Sequence, residues 1–261
     1  MFYIILMYMF VFIIGICIGS FLNVCIYRIP REESIAYPPS HCTSCGHRLG
    51  VKDLVPIFSY LFLKKRCRYC SDEISSRYAL IELAVGIIFL LISLKYGFSL
   101  ETLKYTTLMS IMFVIALIDL ETMEVYFKIT FFGAVCGVIF LVIEGVTKGY
   151  SLNNYLYYLL GAVFPALIIT VIILLTKGMG WGDVEIIFVS GLFLGFKLSF
   201  LMIFISFIIG AVISIFLLWS KRKGRKDPIP FGPFIALGTF FAILMGDSII
   251  NLYISHYINM I

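Results

Sequence analysis

Eight apolar stretches follow one another along the chain, at roughly 2–26, 77–96, 102–119, 128–147, 152–176, 184–195, 198–219 and 234–256. A helical crossing of a bilayer needs about 20 apolar residues, with every backbone polar group bonded inside the segment. The pattern therefore specifies an all-α polytopic membrane protein of about eight transmembrane helices. The sixth stretch is short and glycines surround it. Composition agrees, since 61% of residues are hydrophobic and 13% are charged, against about 25% charged in soluble domains. A soluble globular protein and a disordered chain are both excluded. No tandem repeat is visible.

The first stretch lacks the basic n-region and small-residue cleavage site of a secretory signal, and Arg28 and Arg31 follow it. It reads as a retained helix with its N-terminus outside. Eight crossings then leave 27–77, 120–128, 177–183 and 220–230 inside, and the C-terminus outside. Sixteen of the 20 lysines and arginines fall on those inner segments, nine of them in 27–77 and five in 221–226. Lys95, Lys104, Lys148 and Lys197 fall outside. This asymmetry orients the chain in a cytoplasmic membrane with the long polar loop in the cytosol. The 221–226 run reads as a topology determinant and a contact for anionic membrane lipid, and no nucleic acid is expected as a partner. Three parts follow: a first helix at 1–26, a cytosolic module at 27–76 and a membrane core at 77–261.

Seven cysteines are present, and Cys17, Cys25 and Cys136 lie in apolar helices. The other four form two CxxC knuckles, Cys42 with Cys45 and Cys67 with Cys70, separated by 21 residues. That spacing has the form of a tetrahedral zinc site, and a reducing cytosol disfavours disulfides. Two redox-active CxxC pairs are the alternative. Four thiolates leave no position for water, so the Zn²⁺ is expected to be structural. No HExxH accompanies the three histidines, and His41 and His47 read as solvated.

Ionisable residues in or near a span are costly and mark function. Asp119 ends the third span, and Asp183 closes the inner loop Gly178-Met179-Gly180-Trp181-Gly182-Asp183. The topology places both at the cytosolic surface although 64 residues separate them. Two adjacent carboxyls titrate as a unit, the arrangement of an aspartic protease. Gly180 and Gly182 allow irregular backbone and close approach of a substrate strand. Taken singly, Asp183 also suits a helix cap and Asp119 a snorkelling end charge. Glu121, Glu124 and Glu185 lie near the same surface, and Glu82 sits one turn into the second span.

Several segments together resemble the type IV prepilin peptidases, the bifunctional leader peptidase/N-methyltransferases of pilus, secretion and competence systems. Gly19-Ser20-Phe21-Leu22-Asn23-Val24 with Tyr27-Arg28-Ile29-Pro30 looks like the family's N-terminal signature. Pro38-Pro39-Ser40, both knuckles and Ile74-Ser75-Ser76-Arg77-Tyr78 are similar to its cytosolic loop. Gly180-Trp181-Gly182-Asp183 is similar to its GxGD motif, and Pro230-Phe231-Gly232-Pro233-Phe234 to the motif before its last helix. The resemblance implies Asp119 and Asp183 as catalytic aspartates. It further implies cleavage of a short basic leader from a type IV prepilin or pseudopilin at the cytosolic membrane face. N-methylation of the new terminus by S-adenosylmethionine is implied as well, with no residues of a methyl-donor site legible.

Two departures from the family pattern stand out. Val125-Tyr126-Phe127 replaces an Ile-Pro-Asp-like string, and Val184-Glu185 replaces Val-Lys. The second puts an anion beside the dyad, so Glu185, with Gly180 and Gly182, is expected to contact the basic leader. The competing reading is a polytopic transporter or channel with a zinc-stabilised cytosolic cap and acidic pathway residues. Such proteins show paired broken helices in matching halves, and only one glycine-interrupted region is visible here.

Overall fold

The computed structural model describes residues 2–176, 178–220, 224 and 227–258. Lys177, Lys221, Arg222, Lys223, Arg225 and Lys226, all counted above as inner cations, lie outside the described residues. The helices are α1 (Phe2–Arg28), α2 (Phe58–Phe62), α3 (Ser76–Tyr96), α4 (Leu100–Thr122), α5 (Phe127–Lys148), α6 (Leu152–Thr176), α7 (Trp181–Trp219) and α8 (Gly232–Ile258). All but the short α2 are long and apolar enough to cross a membrane, seven helices in total among the described residues. The protein is a multi-pass, all-α membrane protein.

Contacts divide the chain into two units, Met1–Phe98 and Ser99–Ile261. The sequence-based division at 77 assigns α3 to the downstream core, whereas the contacts group it with α1. The reason is a run of small residues. A Cβ added to Gly15 would lie 2.9 Å from Gly86 Cα, and one on Gly19 would lie 2.8 Å from Glu82 Cα. Backbones this close gain dispersion contacts that lipid tails cannot supply. Higher on the pair, Asn23 Nδ2 donates to the Tyr78 carbonyl at 3.1 Å. Arg28 then straps the outgoing loop to α1, donating to the carbonyls of Ser34 and Pro38 at 2.8 and 2.7 Å. These bonds explain why the Gly19–Arg28 segment reads as a motif: each polar member ties down a different piece of backbone.

The second unit contains a reversal of chain direction inside its longest helix. α7 has 39 residues, nearly twice what a bilayer needs, and Gly195 interrupts it with φ 72° and ψ 176°. A straight helix would carry Gly210 about 40 Å beyond Asp183. Yet Gly210 packs against Phe231 and Phe234 at the start of α8, where Gly232 donates to Asp119. Further along α8, Gly238 meets Met202 and Ser206, and Gly246 meets Leu198. α8 therefore runs antiparallel to 196–219, and the chain turns back at Gly195. The stretches 181–194 and 196–219 are thus separate helices, corresponding to two of the apolar stretches of the sequence. Only glycine adopts that backbone conformation freely. α6 packs on this corner through Gly161, whose missing side chain leaves room for the Gly195 backbone.

At the end of α4 remote from Asp119, Lys104 bonds both Glu144 oxygens at 2.9 and 3.1 Å, and Lys148 bridges Glu144 and Glu101. Lys104 and Glu144 are both buried, so this cluster fixes α4 against α5.

Candidate active site and metal centre

Asp119 lies in the last turn of α4, which closes when the Met123 N–H, at φ 56°, donates to the Asp119 carbonyl. A carboxylate is disfavoured at a helix C-terminus, where the macrodipole is negative. Its compensation comes from another helix. Gly232 is the first residue of α8, and its N–H has no partner within its own helix. That N–H donates to Asp119 Oδ2 at 2.8 Å. A Cβ at 232 would stand 2.7 Å from the same oxygen and 3.3 Å from Asp119 Cβ and Cγ.

Asp183 is the third residue of α7 and accepts the Gly180 N–H on Oδ2 at 3.1 Å, closing the first turn. It is thus a capping side chain as well as one of the two aspartates singled out in the sequence. The two aspartates are each 5% exposed and close enough to interact through charge. Each spends Oδ2 on a backbone amide, and no buried side-chain oxygen lacks a partner among the described residues. The Oδ1 atoms carry no such bond and so are not sealed from solvent.

The sequence-predicted neighbours divide. Gly180 is open, its nearest neighbour being Asp183 Oδ2 at 3.9 Å from a notional Cβ. Gly182 is not open: a Cβ there would lie 2.5 Å from Val125 Cβ. The close approach expected of a substrate is made by this chain's own loop. Glu185 is half-buried and takes a 2.6 Å hydrogen bond from Thr130 Oγ1 of α5. Glu121 and Glu124 are exposed, and Glu124 accepts from the Tyr126 hydroxyl at 3.1 Å. Gly232 is legible in the sequence only as part of the motif at 230–234. A glycine opening a helix between Phe231 and Pro233 is a visible signal, although its target, 113 residues away, is not.

In the first unit the four knuckle sulfurs all lie within 4.8 Å of one another, and Cys42 and Cys70 Sγ are 3.9 Å apart. A tetrahedron with metal–sulfur bonds of about 2.3 Å has edges of about 3.8 Å, while a disulfide needs about 2.05 Å. The cluster fits one four-coordinate metal ion. The knuckles are built alike. Cys42 N–H bonds the His47 carbonyl and Cys67 N–H that of Asp72, while Gly46 and Ser71 N–H return to the carbonyls of Cys42 and Cys67. Gly46 and Ser71, each following a second cysteine, have φ of 70° and 62°. The Cys45 and Ser44 amides pull the Cys42 thiol down to about 6 against desolvation. The Asp72 amide favours the Cys70 thiolate, but desolvation and the Cys67, Cys45 and Cys42 sulfurs push that thiol up to about 12. A divalent metal replaces the protons that such a crowded set retains. Beside it, Asp53 accepts from Arg68 Nε at 2.6 Å, Gly50 N at 3.1 Å and the Tyr69 hydroxyl at 3.1 Å. The Arg68 bond chiefly holds the Asp53 carboxyl below the usual carboxylate range.

A multi-pass helical membrane protein with paired aspartates at two helix ends, and a four-cysteine module after its first helix, belongs to the class of polytopic aspartic peptidases. The chain is a member of the type IV leader peptidase family. The family so described matches residues 106–215, and the bacterial peptidase A24 N-terminal domain matches 13–96. A prepilin leader peptidase/N-methyltransferase of Bacillus subtilis (strain 168) is 34% identical over 93% of this chain and 96% of its own length. Proteins of the same name are 30% identical in Aeromonas salmonicida, over 94% and 93%, and 28% identical in Pseudomonas putida, over 91% and 90%. No solved structure matches.

Proposed function

We propose that this chain removes the short basic leader of type IV prepilins or pseudopilins and then methylates the new N-terminus. The observation that carries the peptidase reading is the geometry of Asp119 and Asp183. Each is anchored by one oxygen to a backbone amide and keeps the other for chemistry. One carboxylate takes a proton from water as that water attacks the scissile carbonyl. The other, protonated, donates to the carbonyl oxygen, and the amine leaves with a proton. Backbone anchoring suits this because it fixes the carboxylates without neutralising them. Glu185, with Glu121 and Glu124, adds negative charge that attracts the basic leader, and Gly180 is the open point of approach.

The four-cysteine cluster is read as a structural zinc site. The aspartates and the 27–76 module face the cytosol, with both termini outside, on the charge asymmetry of the sequence. S-adenosylmethionine, when bound, supplies an electrophilic methyl group on a positively charged sulfur. Incubating purified protein with a prepilin and following the gel shift tests the peptidase. Asp119→Asn and Asp183→Asn should each abolish the shift, and the double variant should be no worse than either. Full cleavage by either single variant would overturn the mechanism.

A further inference from the structure

The first unit contains a partly open cavity of about 380 Å³ to which neither aspartate contributes. Pockets of about 300–1,000 Å³ hold small organic ligands. Ser20, Asn23 and Tyr27 of α1 and Tyr78 and Glu82 of α3 line it, just beyond the Gly19 contact. The four-cysteine module forms part of its wall, with Cys42 and Cys67 among the lining residues.

Its charge is the informative property. Two arginines border the cavity, and both are committed: Arg28 to the Ser34 and Pro38 carbonyls, Arg68 to Asp53. Glu82 is 8% exposed, and among the described residues no cation pairs with it. Its partners are the Ile57 N–H, at 2.7 Å, and the Ser20 side chain. Neutral donors hold a carboxylate in place and leave its charge uncompensated, which is costly in a buried site unless a cation arrives. The same wall carries Tyr60 and Tyr78, aromatic residues of the kind on which a flat base or a cation rests favourably, while the Tyr27 ring is already covered by the Arg31 guanidinium, 3.8 Å from its centroid.

We infer that this cavity is the methyl-donor site, with Glu82 facing the sulfonium charge of S-adenosylmethionine. The inference rests on the methyltransferase half of the proposed function and names the residues that the sequence left unassigned. During transfer the substrate amine's lone pair forms the N–C bond. The C–S bond breaks, its pair stays on sulfur, and a proton leaves the nitrogen for solvent. The sulfur thereby loses its charge, so Glu82 discriminates donor from product and favours exchange of the spent thioether. Because two metal-ligand cysteines form part of the wall, the metal module is also the wall of the donor site.

The test uses full-length protein in detergent and measures binding of S-adenosylmethionine and S-adenosylhomocysteine by calorimetry. Glu82→Gln should weaken the charged donor about tenfold or more and the neutral product by no more than about threefold. Leader cleavage should persist in the variant as its check of folding. Ultraviolet cross-linking of labelled donor to wild-type protein should mark a peptide within 20–28, 59–63 or 75–82, and this readout stands even if the variant fails to fold. Equal loss of both ligands, no loss of either, or cross-links confined to residues 99–261 would overturn the assignment while leaving methylation intact. A wild-type protein that neither binds the donor nor methylates a cleaved prepilin would instead remove the methyltransferase reading itself.

Discussion

Gly232→Ala tests whether the α8 N-terminus positions Asp119. The added methyl would stand 2.7 Å from Asp119 Oδ2. Ordinary carbon–oxygen contacts are about 3.3 Å, and packed side chains do not absorb such overlaps freely. The carboxylate must therefore move by about 0.6 Å, or α8 must. Catalytic groups have to be held within about 0.5 Å, and an error near 1 Å costs about a hundredfold. A drop in kcat of about 10- to 100-fold is expected, which is about 1.4–2.7 kcal/mol of barrier. KM should change little, because Gly232 is buried away from the open approach at Gly180. The control is Gly178→Ala, whose methyl would meet only Thr176 Oγ1, at 3.4 Å, and Thr176 Cβ. Steady-state cleavage of a prepilin in detergent, with insertion verified for both variants, gives the comparison. Wild-type kcat in Gly232→Ala would refute the view that this contact sets the geometry of Asp119.

Four further outcomes follow. Gly182→Ala should impair cleavage by crowding Val125, and adding Val125→Gly should restore part of it; a glycine needed for substrate approach would show no rescue. Glu185→Gln keeps an acceptor for Thr130 while removing the charge, so KM for a basic leader should rise and its salt dependence flatten at constant kcat. A fall in kcat alone would move Glu185 into the dyad's chemistry. Metal analysis should find about one zinc per chain, lost in Cys42→Ser together with affinity for the methyl donor, while cleavage survives. Retained zinc in that variant would contradict the four-cysteine site. Asp53 has a lower pKa in the folded module than in the unfolded chain. Its pairing therefore stabilises above the ordinary value of about 3.9, and that contribution is lost as pH falls through the lowered one. Wild type should thus resist proteolysis within 27–76 better than Asp53→Asn at neutral pH, with the advantage lost as pH falls below the ordinary carboxylate range. Equal resistance at neutral pH would show that the Arg68 pair contributes nothing.

Much was legible in the chain because the physics involved is local. A membrane crossing declares itself as a run of apolar residues, since its backbone bonds are made within the segment. The cysteine module declares itself through spacing, since a metal needs its four sulfurs within a few ångströms. Asp119 and Asp183 stood out because charge at the membrane is costly without a purpose. What holds them did not stand out. The Gly232 amide reaches Asp119 across 113 residues, and Val125 fills the space above Gly182, so neither role is written in either residue's neighbourhood. Gly195 was visible only as a glycine between two apolar runs, and the contacts of α8 decide that the chain turns back there. Glu82 was noticed as a costly charge, but only packing revealed a buried carboxylate with neutral partners beside a cavity. Local sequence determined which segments are apolar enough to enter the membrane and which side chains are candidates for chemistry. Tertiary structure alone decided their partners, because a hydrogen bond or a steric contact depends on distance in space and not on distance along the chain.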